Sequence, residues 1–176
     1  MGRFAGLCRG RFDSDCKIHL KSGLSEVQVG VLRSLGFREV RDPGFSRGRG
    51  KAYMTHNTTG ESSRHFILWN LIFDEARKYT QKVEYNLTRL PDVIFGLEDG
   101  RWIAVEVEAT RKSRKKLEPK LEVLKRYDEW FFVVTDYDNL EHYRQFGHAF
   151  TRTWANKVIA AYFGAELKPE PKTRPQ

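Results

Sequence analysis

Cysteine is scarce: Cys8 and Cys16 are the only two in 176 residues. A disulfide framework needs more, and even with His19 nearby the pair lacks the CxxC spacing of a structural zinc site, so both read as ordinary thiols. Long apolar runs are missing too. No window approaches the roughly 18 consecutive apolar residues of a membrane span, and no apolar stretch follows the arginines of residues 1–11, so this segment does not read as a secretory leader. The expectation is a cytoplasmic protein with no membrane partner. Acidic residues are in deficit, 23 against 31 lysines and arginines, which leaves a formal charge of +8 and a pI of about 9.6. Basic groups release counterions from a phosphate backbone, so the balance favours a polyanion partner without requiring one.

What is present divides the chain into a basic N-terminal region (1–60), a core (61–165) and a Pro-rich tail (166–176), with no internal repeat. Ser25-Glu26-Val27-Gln28 fits a capping box, and Val27, Val31, Leu32 and Leu35 follow at helical spacing until Gly36 closes the helix. Two extended runs, 37–41 and 52–56, then flank a basic loop containing Arg47, Arg49 and Lys51, which predicts a hairpin.

In the core, Leu68, Trp69, Ile72, Phe73, Ala76 and Tyr79 recur as one buried helical stripe, continued towards the N-terminus by His65 and Glu61. Thr58-Thr59-Gly60-Glu61 also fits a capping box, and His65 reads as a satisfied core histidine ahead of a catalytic one. Strands are predicted at Val83, Tyr85 and Leu87, over 92–97, and over 101–109 after an Asp99-Gly100 turn. A helix marked by Leu117, Leu121 and Leu124 follows, with Pro119 near its first turn, then a central strand over 130–135. Closing helices through Leu140 to Val158 break at Gly147. That order calls for an α/β fold with a mixed central sheet flanked by helices.

The chemistry concentrates in Pro91-Asp92 and Glu106-Val107-Glu108. Alternation along a strand sends Val105 and Val107 to one face and both glutamates to the other, with Asp92 on the neighbouring hairpin strand beside Glu106. Hard divalent cations want such oxygen ligands. Alternating glutamates also decorate ordinary solvated sheet faces, but here the basic run Arg111, Lys112, Arg114, Lys115 and Lys116 follows directly. Carboxylates beside a cationic loop suit a phosphate site, although a charge run by itself reads as a solvated face.

Over residues 61–136 the first helix, Pro91-Asp92, the Glu106-Val107-Glu108 strand, the helix with Lys120 and the strand over 130–135 resemble the PD-(D/E)XK (restriction-endonuclease-like) nuclease superfamily. The helix and basic hairpin before them resemble a winged helix. The combination, with the Arg64-His65-Phe66 helix, resembles the replication-relaxation type of plasmid and mobile-element proteins. The resemblance implies a restriction-endonuclease-like core with a small winged-helix-like extension, and cleavage of DNA supported by Mg²⁺ or Mn²⁺ in the replication, mobility or defence of a plasmid or virus. It makes Asp92 and Glu106 metal ligands, with the Val107 carbonyl a third and Glu84 or Glu61 reaching in from preceding elements. Glu108 stands where the superfamily has lysine, as it does in some restriction endonucleases of the group. Glu108 would then ligate the metal or orient water, with Lys112 or Lys120 as the displaced lysine or simply as surface cations. Superfamily members often dimerise to cut both strands, which implies a homodimer. The alternative is an inactive, DNA-binding replication or regulatory factor of the same fold.

Overall fold

A computed structural model describes residues 17–41, 51–58, 60–86, 91–135 and 137–167. They belong to two units, Met1–Asp74 and Glu75–Gln176. Cys8, Cys16, Arg47, Arg49, Leu87 and the 168–176 tail lie outside the described residues.

In the first unit, β1 (Ile18–Leu20) leads through a 3-10 turn to α1 (Glu26–Ser34), followed by β2 (Arg38–Arg41) and β3 (Ala52–Thr55). The strands form an antiparallel sheet in the order β1-β3-β2. Ser25 caps α1 as its spacing predicts: its hydroxyl accepts from the Gln28 amide, and the Gln28 side chain accepts from the Ser25 amide. Gly36 ends the helix at φ +84, a left-handed conformation that costs a residue with a Cβ about 1–2 kcal/mol. The buried face of α1 corrects the sequence reading. Val29 and Leu32 point inward onto Phe37 and Met54, whereas Val27, Val31 and Leu35 point outward at 77%, 42% and 47% exposure. The helix carries two apolar rows, and the tight turn at Gly36 folds Phe37 back onto the row that includes Val29.

The helix α2 (Ser63–Ala76) crosses the division between the units. Ser62 caps it, accepting from the His65 amide, where the sequence suggested Thr58. Every residue from Phe66 to Phe73 is buried, so the single stripe expected here is a helix buried all round. Tyr79 lies beyond the helix end, 42% exposed, and stacks on Phe163.

The second unit is built on a five-stranded sheet, β4 (Val83–Tyr85), β5 (Val93–Gly96), β6 (Trp102–Glu108), β7 (Glu129–Val134) and β8 (Ala149–Thr151), paired in chain order. Pairing from β4 to β6 is antiparallel and from β6 to β8 parallel, giving the mixed sheet of an α/β fold. The Asp99-Gly100 turn joins β5 to β6, with Gly100 at φ +92 and the Asp99 carboxylate accepting from the Arg101 amide. The crossover from β6 to β7 is α3 (Arg114–Leu124), and α4 (Tyr137–Arg144) and α5 (Arg152–Tyr162) flank β8. Pro119 falls in the second turn of α3, not near the first, so the carbonyl four residues earlier receives no amide from it. The sequence reading lacked β8. The break at Gly147 precedes this strand, and a Cβ there would lie 2.2 Å from the Trp130 ring, so only glycine fits.

One face of the sheet carries Ala104, Phe132, Val134 and Ala149, covered by Leu117 and Leu124 of α3 and Leu140 and Tyr143 of α4. The candidate site opens within this layer.

Candidate metal and phosphate site

The register of the β5–β6 hairpin places Val93 opposite Val105, so Asp92, one residue earlier, comes beside Glu106. Alternation along β6 sends Glu106 and Glu108 to the same face as Ala104, the face covered by α3. A solvated face is ruled out by burial: Glu106 is 0%, Glu108 1% and Asp92 9% exposed. Buried carboxylates persist only when charge or hydrogen bonds compensate them.

The compensating cation is Lys120. Leu117, Lys120, Leu121 and Leu124 share one face of α3, because residues three and four apart are neighbours on a helix. With Leu117 and Leu124 packed on the sheet, the Lys120 stem is carried inward. Its ammonium donates to Glu106 Oε1 and, at 2.8 Å, to Glu108 Oε1. Lys112 donates to the same Glu108 carboxylate, 2.8 Å from Oε2 and 3.0 Å from Oε1. Of the two lysines that the sequence left open, Lys120 bridges both glutamates and Lys112 reaches only Glu108. Both oxygens of Glu108 are therefore engaged by cations.

The other side of Glu106 is different. Glu106 Oε2 is buried and has no hydrogen-bond partner among the described residues. Asp92 is fixed by accepting from the Val107 amide at 2.7 Å through Oδ2. In a strand a residue's N–H and C=O lie on the same side, so the Val107 carbonyl is directed to the Asp92 edge as well. Burial, and then the negative charge of Asp92, push the Glu106 carboxyl up to about 8, against the opposing pull of Lys120. For Lys120, burial would lower the affinity for its proton, but the charges of Glu106 and Glu108 outweigh it and raise its pKa.

The basic run divides into bound and free members. The Arg111 guanidinium donates to the Asp138 carbonyl. Arg114 faces Glu118 at 3.5 Å in an exposed pair, which contributes little. Lys115 and Lys116 are exposed, with no partner among the described residues. No acidic residue stands in the first turn of α3, so three cations sit where the helix dipole disfavours them.

Sequence reasoning missed the residues that hold this loop. Tyr143 donates to the Thr110 carbonyl at 2.7 Å, and His142 Nε2 lies 2.9 Å from the Lys112 carbonyl. Burial, reinforced by the charge of Glu108, pushes the Tyr143 phenol up. Its apolar spacing revealed the ring but carried no signal for the hydroxyl.

Of the other candidates, Glu84 alone belongs to the same unit, and it stays outside the cluster. Glu84 is exposed on β4, where its charge acts on Tyr127. Glu61 and His65, in the first unit, face each other at 3.5 Å. Lys51 is exposed just before β3. Among the described residues, no three His, Cys, Asp or Glu side chains are arranged to hold a metal ion by themselves, and no helix is long and apolar enough to cross a membrane. No protein-family model, no curated protein and no solved structure matches the chain.

Proposed function

We propose that the chain is a divalent-metal-dependent DNA endonuclease with a restriction-endonuclease-like core, serving a plasmid or virus in replication, mobility or defence. The observation that carries this reading is the buried set Asp92, Glu106 and Glu108, with Lys120 bridging the glutamates and Glu106 Oε2 left unpartnered beside Asp92. An orphaned buried oxygen is costly unless a partner arrives. Asp92, Glu106 and the Val107 carbonyl supply hard oxygen donors on one edge, the chemistry that Mg²⁺ or Mn²⁺ prefers. An ion held there would acidify a water and offset charge on a phosphate.

The geometry supports the remaining roles. Lys120 sits close enough to Glu106 to stabilise negative charge developing on a phosphate. Glu108 fixes Lys120 and Lys112 and is no longer needed as a ligand. Lys115 and Lys116, free and unfavourably placed on their helix, gain from a phosphate backbone. In the N-terminal unit, the sheet order and the helix preceding the hairpin support a winged-helix-like reading, with Lys51 beside the hairpin loop as a further phosphate contact.

The test is cleavage of supercoiled plasmid across Mg²⁺ and Mn²⁺, with affinity followed separately in Ca²⁺. Metal-dependent nicking is expected. Binding without cleavage of any DNA form favours the inactive DNA-binding factor, and neither binding nor cleavage overturns both. Replacing Lys115 and Lys116 together with Ala is expected to lower the slope of log affinity against log salt by about 2, one counterion for each lost contact. An unchanged slope would remove the turn from the DNA interface.

A further inference from the structure

We propose that Asn86 is a positioning residue for Asp92, fixing the backbone on both sides of it so that the carboxylate stays beside Glu106. The role rests on the proposed function, in which Asp92 and Glu106 hold a divalent cation. Neither the carboxylate motif nor the basic run points to this asparagine. Tyr85 pairs with Val93 and Val93 with Val105, so Asn86, Asp92 and Glu106 stand level across β4, β5 and β6, one residue further on.

Backbone and side chain of Asn86 both take part. The Asn86 backbone N–H donates to the Asp92 carbonyl at 3.0 Å, which extends the β4–β5 pairing by one step. Pro91, the residue before Asp92, has no N–H with which to extend it further. Pro91 is buried, and its carbonyl accepts instead from Nδ2 of the Asn86 carboxamide at 2.9 Å. Both peptide units that flank the Asp92 Cα are thus held by one residue, while Asp92 Oδ2 is held by the Val107 N–H at 2.7 Å. Together the three bonds leave the backbone and the side chain of Asp92 little freedom to turn.

Such restraint matters because neighbouring carboxylates repel one another when no cation lies between them. An unrestrained Asp92 would relax by swinging away from Glu106, and binding an ion would then include the cost of bringing it back. Asparagine suits the position. A lysine or arginine would bring the positive charge that the ion is to supply, whereas the carboxamide is neutral, acts on backbone oxygens alone and leaves the charge of Asp92 for the ion. An ionised aspartate has no donor, and an apolar side chain would leave the Pro91 carbonyl unmet.

The experiment titrates the full chain with Mn²⁺ at pH 8.5, well below the melting temperature, and counts the free ion by its electron paramagnetic resonance signal. Wild type is compared with Asn86→Leu, which keeps the volume of the carboxamide and removes its donor, and with Asp92→Ala. Groups that orient a metal ligand are typically worth about 10–100-fold in affinity. Asn86→Leu is therefore expected to keep its circular dichroism spectrum and to bind Mn²⁺ about tenfold more weakly than wild type, and Asp92→Ala not to bind it. A purely structural role would lower the melting temperature and leave the affinity of the folded protein as it was. Equal affinity for Asn86→Leu and wild type thus overturns the proposal while the cation site stands. A wild type that binds no Mn²⁺, or an Asp92→Ala variant that binds it as wild type does, removes the cation site and the proposal with it. Should Asn86→Leu fail to fold, Asn86→Ala takes its place under the same criteria.

Discussion

Replacing Lys120 with methionine is expected to destabilise the protein by about 3–5 kcal/mol, the cost of breaking a buried ion pair from one side. Methionine preserves most of the aliphatic volume, so the loss reports charge and not packing. The Lys120 side chain is 16% exposed and its partners Glu106 and Glu108 are 0% and 1% exposed, so water replaces little of what the ammonium supplies. Lys112, 33% exposed, continues to neutralise Glu108 but does not reach Glu106. Adding Glu106→Gln to the Lys120→Met variant is expected to recover part of the loss, giving a coupling energy above about 1 kcal/mol in a double-mutant cycle. Chemical denaturation at pH 9, where Glu106 is ionised, measures all four corners. A change under about 1 kcal/mol for Lys120→Met would mean that the glutamates are compensated elsewhere.

A second large effect concerns pH. The Glu106 carboxyl, pushed to about 8 from an ordinary 4.5, holds its proton more tightly when folded than when unfolded. The resulting stability is fully present below pH 4.5 and is lost as pH rises through 8, a decline on the order of a few kcal/mol across that window. Glu106→Gln keeps the shape of the protonated acid and has no charge to expel. The variant is therefore expected to show a flatter profile between these limits and to be more stable than wild type above pH 8. Parallel profiles would place the raised pKa elsewhere.

The pairing of Asp92 with Glu106 was legible in the sequence because two local signals agree: alternation through Glu106-Val107-Glu108 and a turn at Asp99-Gly100 that sets the register. Burial of these carboxylates was not legible. Alternating charge reads as a solvated face until a cation from another element accounts for it, and spacing left Lys112, in the turn before α3, and Lys120, on the helix, equally able to supply it. The same uncertainty of phase misplaced the buried row of α1, where two apolar rows lie side by side and Phe37 selects one. The strands β1 and β8 have three residues each, too few for a periodic pattern, and form because β3 and β7 offer them edges. The helix α2 was found, but full burial erases the amphipathic contrast from which its face would be read.

If Asp92 and Glu106 hold a divalent cation, titrating the metal-free chain with Mn²⁺ at pH 8.5 raises its melting temperature. Glu106 is largely ionised there, so a proton no longer competes with the ion. An ion that binds only the native state stabilises it by RT ln(1 + [L]/Kd), about 2.7 kcal/mol at a hundredfold excess over Kd, which raises the melting point by several degrees. This rise is expected for wild type, with a smaller rise at pH 6.5 where the proton competes, and none for Asp92→Ala or Glu106→Ala. An equal rise in all three proteins, or none in wild type at either pH, would contradict a cation held by Asp92 and Glu106.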